Sequence, residues 1–197
     1  MSFLRRSWGR ARRAHGTVTF LVALLVLLGA ARGAAAPKAG VTVVQRAGLY
    51  EVRGEFTTTA PAAIAWDVLT DYTSITRFVA SIKQSEVVQL PDGRLRVYQV
   101  ASVGVFPFRA TARVTLMVTE EPQHLISFVD SLGADFHKYT GSWTLRAESG
   151  STVVAYSLDA SPRAGTPGWL GRSVMSHSTS DLLAQVRAEI ERRAAKR

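Results

Sequence analysis

Residues 108–118 read Phe-Arg-Ala-Thr-Ala-Arg-Val-Thr-Leu-Met-Val, in which apolar side chains alternate with mostly polar ones. One side of this pattern is wholly apolar and consists of Phe108, Ala110, Ala112, Val114, Leu116 and Val118. A period of two residues predicts a β-strand, because successive side chains of a strand point to opposite faces of the sheet. The strand therefore covers a dry interior on one face and meets water on the other.

Strand patterns continue on both sides of this segment. Short turn sequences recur every dozen or so residues between 85 and 160: Pro91-Asp92-Gly93, Glu121-Pro122-Gln123, Gly133-Ala134-Asp135 and Glu148-Ser149-Gly150. Proline, glycine and aspartate favour chain reversal, so this spacing predicts an antiparallel meander of about six strands. Gly104 to Pro107 is predicted to be an apolar loop within it. Residues 41–56 also alternate, which adds a strand before the meander.

Helical patterns precede and follow the meander. Pro61 opens a short predicted helix, and residues 75–79 suggest a second one. A long helix is predicted from Thr166-Pro167 towards the C-terminus. Its apolar stripe contains Trp169, Leu170, Val174, Met175, Leu182, Val186 and Ile190. This stripe must be buried, and the inner face of a twisted, curling sheet is the only large apolar surface available. The predicted fold is α+β: a curled antiparallel sheet of about seven strands, two short helices, and a long C-terminal helix across its concave face.

Residues 1–36 have the composition of a leader. They contain six arginines and no acidic residue, an apolar run over residues 18–31, and the small-residue tail Ala34-Ala35-Ala36. These are the parts of a secretory signal peptide, and the run is shorter than the roughly 20 apolar residues of a membrane-spanning helix. An uncleaved N-terminal anchor is the alternative. We expect cleavage after Ala34 or Ala35 and an exported protein, periplasmic or secreted, whose domain comprises residues 37–197.

The charge of the domain argues against a nucleic-acid partner. The chain carries 24 basic and 15 acidic residues, a net charge of +9. Without the six leader arginines, 18 basic residues remain against 15 acidic ones, and a net charge of +3 is ordinary for a domain of this size. The chain has no cysteine, which excludes disulfides and thiolate chemistry. The basic C-terminal tail, residues 192–197, is interpreted as favourable charge at a helix C-terminus, with contact to acidic lipids as the alternative.

The first helical segment carries the residues that point to a family. Ala65-Trp66-Asp67-Val68-Leu69-Thr70-Asp71-Tyr72, followed by Phe78, resembles the first-helix signature of the START-like helix-grip superfamily. More closely, it resembles the polyketide cyclase/dehydrase and coenzyme Q-binding START group. The segments Gly141–Leu145 and Gly150–Tyr156 are similar to paired late strands of that group, and Pro162, Pro167 and Trp169-Leu170 are similar to its C-terminal part. The resemblance spans roughly residues 45–192. It implies a START-like ligand-binding domain with a cavity between the sheet and the last helix.

The search for catalytic groups yields few candidates. Strand parity places His137 on one face with Tyr139 and Trp143, so His137 or Tyr139 is a proton-transfer candidate, with Asp135 nearby. His177 lies between serines and before Asp181, but residues one or two apart on a helix point in different directions, which argues against a triad. We find no zinc-type His/Glu spacing, phosphate-binding glycine loop or dinucleotide fingerprint. No catalytic residue, metal or cofactor is therefore predicted.

Aromatic residues on the predicted sheet and its rim are the better candidates for a site. Apolar side chains with a few polar groups are typical of ligand pockets, and Gln99, Tyr139 and Arg109 are candidate polar groups. The predicted ligand-binding residues are Phe78, Tyr98, Phe106, Phe108, Phe128, Tyr139, Trp143 and Met175. We expect an exported protein that binds a lipid, isoprenoid or quinone-like molecule. The alternatives are a cyclase/dehydratase-type enzyme and an envelope interaction module with a packed interior. Contact with a membrane surface and the oligomeric state stay open.

Overall fold

The computed structural model describes residues 40–105, 108–163 and 168–197, without the side chains of Val105, Phe108, Arg109 and Trp169. All strands of the described residues belong to one antiparallel sheet with the order β1-β2-β8-β7-β6-β5-β4-β3. The elements are β1 (Gly40–Arg46), β2 (Leu49–Thr58), α1 (Ala62–Leu69), a 3₁₀ turn (Ile75–Arg77), β3 (Ile82–Gln89), β4 (Leu95–Val105), β5 (Phe108–Glu121), β6 (Leu125–Asp130), β7 (Phe136–Glu148), β8 (Ser151–Pro162) and α2 (Gly168–Ala194). The predicted α+β architecture, with its long C-terminal helix, is confirmed.

The sheet has eight strands where about seven were predicted. Residues 40–58 fold into the hairpin β1–β2, which turns at Ala47 and Gly48 with φ values of 47° and 81°. Positive φ at both central residues gives the turn the twist that matches a two-stranded hairpin. The predicted loop Gly104–Pro107 is also shorter than expected, because β4 continues through Val105, which pairs with Phe108.

The apolar face of β5 lies in the core, as its alternation predicts. Val114, Leu116 and Val118 are buried, whereas Thr111 and Arg113 on the other parity are exposed. Neighbouring strands contribute further side chains to the same core, including Val97, Ile126, Leu145 and Val154. The core is therefore the concave face of the sheet.

Helix α2 presents two adjacent stripes instead of one. Leu183, Val186 and Ile190 are buried in the core, and Leu183 was not part of the predicted stripe. Gly54 of β2 permits this packing, because a Cβ atom there would lie 2.6 Å from Cδ1 of Leu183. Leu182, which was predicted, is partly buried and lies one position around the helix. The predicted helix start, Thr166-Pro167, lies outside the described residues.

Ion pairs fasten the C-terminal end of α2 to α1 and the loop after it. Pro61 is the N-cap of α1, and its carbonyl oxygen accepts hydrogen bonds from the amides of Ile64 and Ala65. Arg193 bonds Asp71 at 2.7 Å, and Arg197 bonds Asp67 at 2.8 Å. The basic tail thus has acidic partners within the domain.

Within residues 40–105, 108–163 and 168–197, no helix combines the length and the apolar composition needed to cross a membrane.

Candidate functional site

A cavity of about 200 Å³ lies between the concave face of the sheet and the first half of α2. Strands β3 to β8 supply most of its wall, and Val174, Met175 and Leu182 close it from the helix side. The other lining residues are Leu69, Tyr72, Ile75, Ser81, Ile82, Val97, Gln99, Ala101, Val103, Ala112, Val114, Leu116, Val118, Ile126, Phe128, Phe136, Tyr139, Trp143, Tyr156, Leu158, Ser178 and Thr179. The wall is predominantly apolar and, among the described residues, carries no charged side chain.

The size of the cavity limits what it encloses in this conformation. An apolar cavity of roughly 150 Å³ holds a benzene molecule, whereas sites for drug-sized ligands measure about 300–1,000 Å³. At about 200 Å³, the cavity accommodates a group of one or two fused rings or a short branched chain. A longer molecule would have to leave part of its length outside or widen the cavity.

Five aromatic side chains form a cluster at one part of the wall, contributed by β6, β7 and β8. The ring centroids of Phe136 and Tyr139 are 4.8 Å apart, and those of Trp143 and Tyr156 are 4.5 Å apart. Phe128 lies 6.1 Å from Tyr139 and 6.4 Å from Tyr156. These separations are typical of favourable aromatic pairs, so each ring is held by its neighbours.

Polar groups reach the cavity at a few points, and two of them already have protein partners. The Tyr72 hydroxyl donates to Oε1 of Glu120 at 2.6 Å, and burial together with this hydrogen bond raises the pKa of Tyr72. The Gln99 amide donates to Oγ of Ser85 at 3.3 Å. Burial is the main cause that raises the pKa of Tyr139 and the pKa of Tyr156. All three tyrosines are therefore neutral at physiological pH.

Four of the predicted ligand-binding residues line the cavity: Phe128, Tyr139, Trp143 and Met175. Their contact with a ligand stays a prediction. Gln99, predicted as a polar group, lines it too. Phe106 lies outside the described residues, as do the side chains of Phe108 and Arg109.

The structure places the two remaining predicted residues, Phe78 and Tyr98, away from the cavity wall. Tyr98 lies between Val97 and Gln99, which both line the cavity, so strand alternation turns it to the opposite face of β4. Phe78 packs at the edge of the core, and the guanidinium group of Arg193 lies 5.8 Å from its ring centroid. Neither aromatic residue belongs to the candidate site.

A β-bulge in β7 overturns the predicted position of His137. Phe136 pairs with Pro162 and Lys138 with Ser161, so His137 has no partner on β8. The extra residue shifts the alternation, and Phe136 and Tyr139 both line the cavity whereas His137 is exposed. Asp135 bonds the amide of Arg113 at 2.7 Å instead of His137. His137 therefore does not share a face with Tyr139 and cannot act as a base within the cavity.

Tyr72, Phe136 and Tyr156 also line the cavity, although they were not among the predicted ligand-binding residues. Phe136 was missed because strand parity placed it on the other face of β7. The bulge that reverses the parity has no marker in the sequence, although Gly133-Ala134-Asp135 does signal an irregular segment directly before it. Among the described residues, no group of three histidine, aspartate or glutamate side chains is arranged to hold a metal ion. His177 pairs with Asp181 at 3.3 Å on the exposed surface of α2, away from the cavity.

Comparison of the sequence with known protein families agrees with the observed fold of a curled sheet, a long helix and a cavity between them. The profile of a family described as polyketide cyclase / dehydrase and lipid transport matches residues 58–187. The chain belongs to this family. The resemblance of residues 65–72 to START-like proteins is thereby confirmed. No curated protein sequence is a match for the chain.

Several solved structures have the same fold as this member of the polyketide cyclase/dehydrase family. A protein of Thermus thermophilus has a TM-score of 0.63 at 21% identity, over 73% of this chain and 99% of the other. Zhui aromatase/cyclase from Streptomyces sp. R1128 has a TM-score of 0.61 at 18% identity, over 74% and 95%. A STAR-related lipid transfer protein from Xanthomonas axonopodis has a TM-score of 0.55 at 18% identity, over 77% and 99%. The TM-scores show a shared fold. At identities below 25% they show the fold alone, because proteins with one fold can have unrelated activities.

Proposed function

We propose that this protein is an exported binding protein that takes a small apolar molecule into the cavity between its sheet and α2. The observation that carries the proposal is the cavity itself, with its predominantly apolar wall and its few polar groups. A lipid, an isoprenoid or a quinone-like molecule has the matching chemistry. Membership of a family described by lipid transport as well as by cyclase and dehydrase activity supports the same class of ligand.

The cost of keeping the cavity supports a function in binding. Unfilled volume in a core destabilises a protein, because the lining side chains lose packing partners. Native domains are stable by only roughly 5–15 kcal/mol, so a void without a function is disfavoured. A larger side chain at Ala101 or Ala112, which both line the wall, would reduce the void. A hollow interior therefore favours ligand binding over a module with a packed interior.

The absence of a proton-transfer set around the cavity favours binding over catalysis. The bulge leaves His137 exposed, and the carboxylate of Glu120 accepts the hydroxyl of Tyr72. Among the described residues that line the cavity, none is a histidine, aspartate or glutamate that could act on a ligand as an acid or base. The export of the protein is proposed from the leader sequence, residues 1–36.

A cavity-filling variant with a matched control tests the proposal. Ala112→Trp places a large ring in the cavity, whereas Thr111→Trp places the same ring on the exposed face of the same strand. With 2-naphthol as the fluorescent probe, we expect Ala112→Trp to weaken binding at least about tenfold and Thr111→Trp to leave it within about twofold. Native mass spectrometry of the gently purified protein should show a copurified apolar ligand for Thr111→Trp and not for Ala112→Trp. Circular dichroism checks that both variants fold.

The opposite result would remove the basis of the proposal. If the unmodified protein binds no apolar probe and is always recovered empty, the cavity is not a binding site. Equal probe affinity in Ala112→Trp and Thr111→Trp would place binding elsewhere on the molecule.

A further inference from the structure

Tyr139 and Tyr156 bring two neighbouring hydroxyl groups, the hydroxyl pair, into the otherwise apolar cluster of the cavity wall. Tyr139 lies on β7 and Tyr156 on the neighbouring β8, and both residues line the cavity. Phe136 packs on the first ring and Trp143 on the second, while Phe128 lies near both. The surrounding rings therefore fix the position of both hydroxyl groups before any ligand arrives.

This hydroxyl pair has unused hydrogen-bonding capacity. The two phenols are close enough to influence each other's pKa, but among the described residues neither hydroxyl makes a hydrogen bond of ordinary geometry. Each phenol supplies one donor and two acceptor lone pairs, so both hydroxyls can bond a ligand atom. In contrast, Tyr72 has committed its hydroxyl to Glu120 and Gln99 its amide to Ser85. The pair is thus a prepared site for one ligand oxygen.

The charges around the pair disfavour an anion. The described wall of the cavity contains no lysine, arginine or histidine that would compensate a bound negative charge. The carboxylate of Asp130 contributes to raising the pKa of Tyr139, so its negative charge acts on the hydroxyl of Tyr139. Oδ2 of Asp130 is buried and, among the described residues, without a hydrogen-bond partner. An anionic ligand group here would lose its hydration without gaining a counter-charge and would be repelled by Asp130.

These observations deepen the proposed function and rest on it. We propose that the Tyr139–Tyr156 hydroxyl pair is the polar anchor of the cavity and selects uncharged apolar ligands that carry a hydroxyl or carbonyl oxygen. Fatty acids in their carboxylate form and other anions are rejected at this anchor. The ligand class is therefore an alcohol, phenol, ketone or quinone attached to an apolar body, of which one or two rings or a short branched chain fit inside.

Three probes of similar shape test the selection at pH 7: naphthalene, 2-naphthol and 2-naphthoate. We expect 2-naphthol to bind about five- to tenfold more tightly than naphthalene, because it adds one neutral hydrogen bond. We expect 2-naphthoate to bind at least about a hundredfold more weakly than 2-naphthol, because its charge has no counter-ion in the wall. Isothermal titration calorimetry or displacement of a fluorescent probe measures the three affinities.

The double variant Tyr139→Phe/Tyr156→Phe keeps both rings and removes both hydroxyls. We expect it to bind naphthalene as the unmodified protein does, within about twofold, and to lose the preference for 2-naphthol. The matched control is Tyr98→Phe, which removes a tyrosine hydroxyl on the opposite face of β4, away from the cavity, and should keep the preference. The probe series on the unmodified protein decides the question even if the double variant does not fold.

The possible outcomes separate the anchor from the cavity. If 2-naphthoate binds as tightly as 2-naphthol, or if the folded double variant keeps the 2-naphthol preference, the anchor is wrong while binding in the cavity stands. If naphthalene and 2-naphthol both fail to bind the unmodified protein, the proposed function falls and the anchor falls with it.

Discussion

Gly141 shows how a single missing side chain shapes the cavity wall. It lies on β7 between Tyr139 and Trp143 and pairs with Phe128 of β6 and Leu158 of β8. A Cβ atom at this position would collide with the carbonyl oxygen of Ser157 and lie 2.7 Å from Cζ of Phe128. The glycine therefore lets the ring of Phe128 lie directly over the backbone of β7, where it meets Tyr139 and Tyr156.

Replacing Gly141 tests this close approach. Gly141→Ala forces the backbone of β8 or the ring of Phe128 to move, and we expect the free energy of unfolding to fall by about 1–3 kcal/mol. Gly40→Ala is the control, because a Cβ atom at position 40 meets nothing within 4 Å. That variant should stay within about 0.5 kcal/mol of the unmodified protein. Urea denaturation measures both, and equal stability of the two variants would contradict the interpretation.

The last turns of α2 form the element that holds the helix in place. Glu189 is only 7% exposed and accepts hydrogen bonds of 2.6 Å from Arg192 and 2.7 Å from Arg193. Arg193 also bonds Asp71 in the loop after α1. Hydrogen bonds from Arg192 and Arg193 outweigh the effect of burial and hold the pKa of Glu189 at about 2. The charged form of Glu189 therefore stabilises the folded state.

The depressed pKa of Glu189 predicts a defined pH dependence. A carboxyl group with a folded pKa of about 2 stabilises the protein above its unfolded pKa of about 4.5, and this contribution disappears as the pH falls towards 2. We expect Glu189→Gln to lower the free energy of unfolding by about 1–3 kcal/mol at pH 7 and to approach the stability of the unmodified protein near pH 2. Urea denaturation between pH 7 and pH 2 checks this.

Glu191, two residues after Glu189 on the same helix, provides the control for this pH dependence. Glu191 pairs with Arg187 at 2.7 Å and is 46% exposed, so Glu191→Gln should cost less than about 1 kcal/mol. If Glu189→Gln shows the same pH profile as Glu191→Gln, the buried ion-pair network does not stabilise the end of α2.

At the scale of the whole molecule, the two halves of α2 have different roles. The second half packs into the core, and the first half borders the cavity. The second half of α2 buries Leu183, Val186 and Ile190 in the core and is tied to the loop after α1. The first half borders the cavity with Val174, Met175 and Leu182, which are only partly buried. Cavity formation therefore does not weaken the contacts that anchor the helix.

Export belongs to the same scale and is tested on the whole chain. Because the leader combines a basic start, an apolar run and Ala34-Ala35-Ala36, we expect the mature protein to begin at residue 35 or 36. Intact mass spectrometry of the protein from the periplasm or medium measures this. Leu25→Arg, which interrupts the apolar run, should retain the unprocessed chain in the cell, whereas Arg10→Lys, which keeps the charge, should not. A full-length mass in the membrane fraction would instead indicate an uncleaved anchor.

Local pattern was enough to predict most of the secondary structure and part of the cavity wall. The alternation of residues 108–118 predicted which face of β5 is buried, and the turn sequences predicted the meander. Phe128, Tyr139, Trp143 and Met175 were predicted as site residues and line the cavity, although their contact with a ligand is untested. These features follow from side-chain periodicity, which depends on nearby residues alone.

Tertiary structure decided the features that depend on irregularity and on contacts between distant segments. The bulge at His137 reversed the parity of β7, exposed the candidate base and turned Phe136 inward. The absence of a side chain at Gly54 and Gly141 matters only because Leu183 and Phe128 approach these positions from other elements. The ion pair between Arg193 and Asp71 likewise joins separate segments, and Tyr139 and Tyr156 reach the cavity from different strands. The sequence by itself determined the periodicity of apolar residues in each strand and helix. Three-dimensional packing determined which side chains meet, because the energy of a close contact depends on atoms that are far apart along the chain.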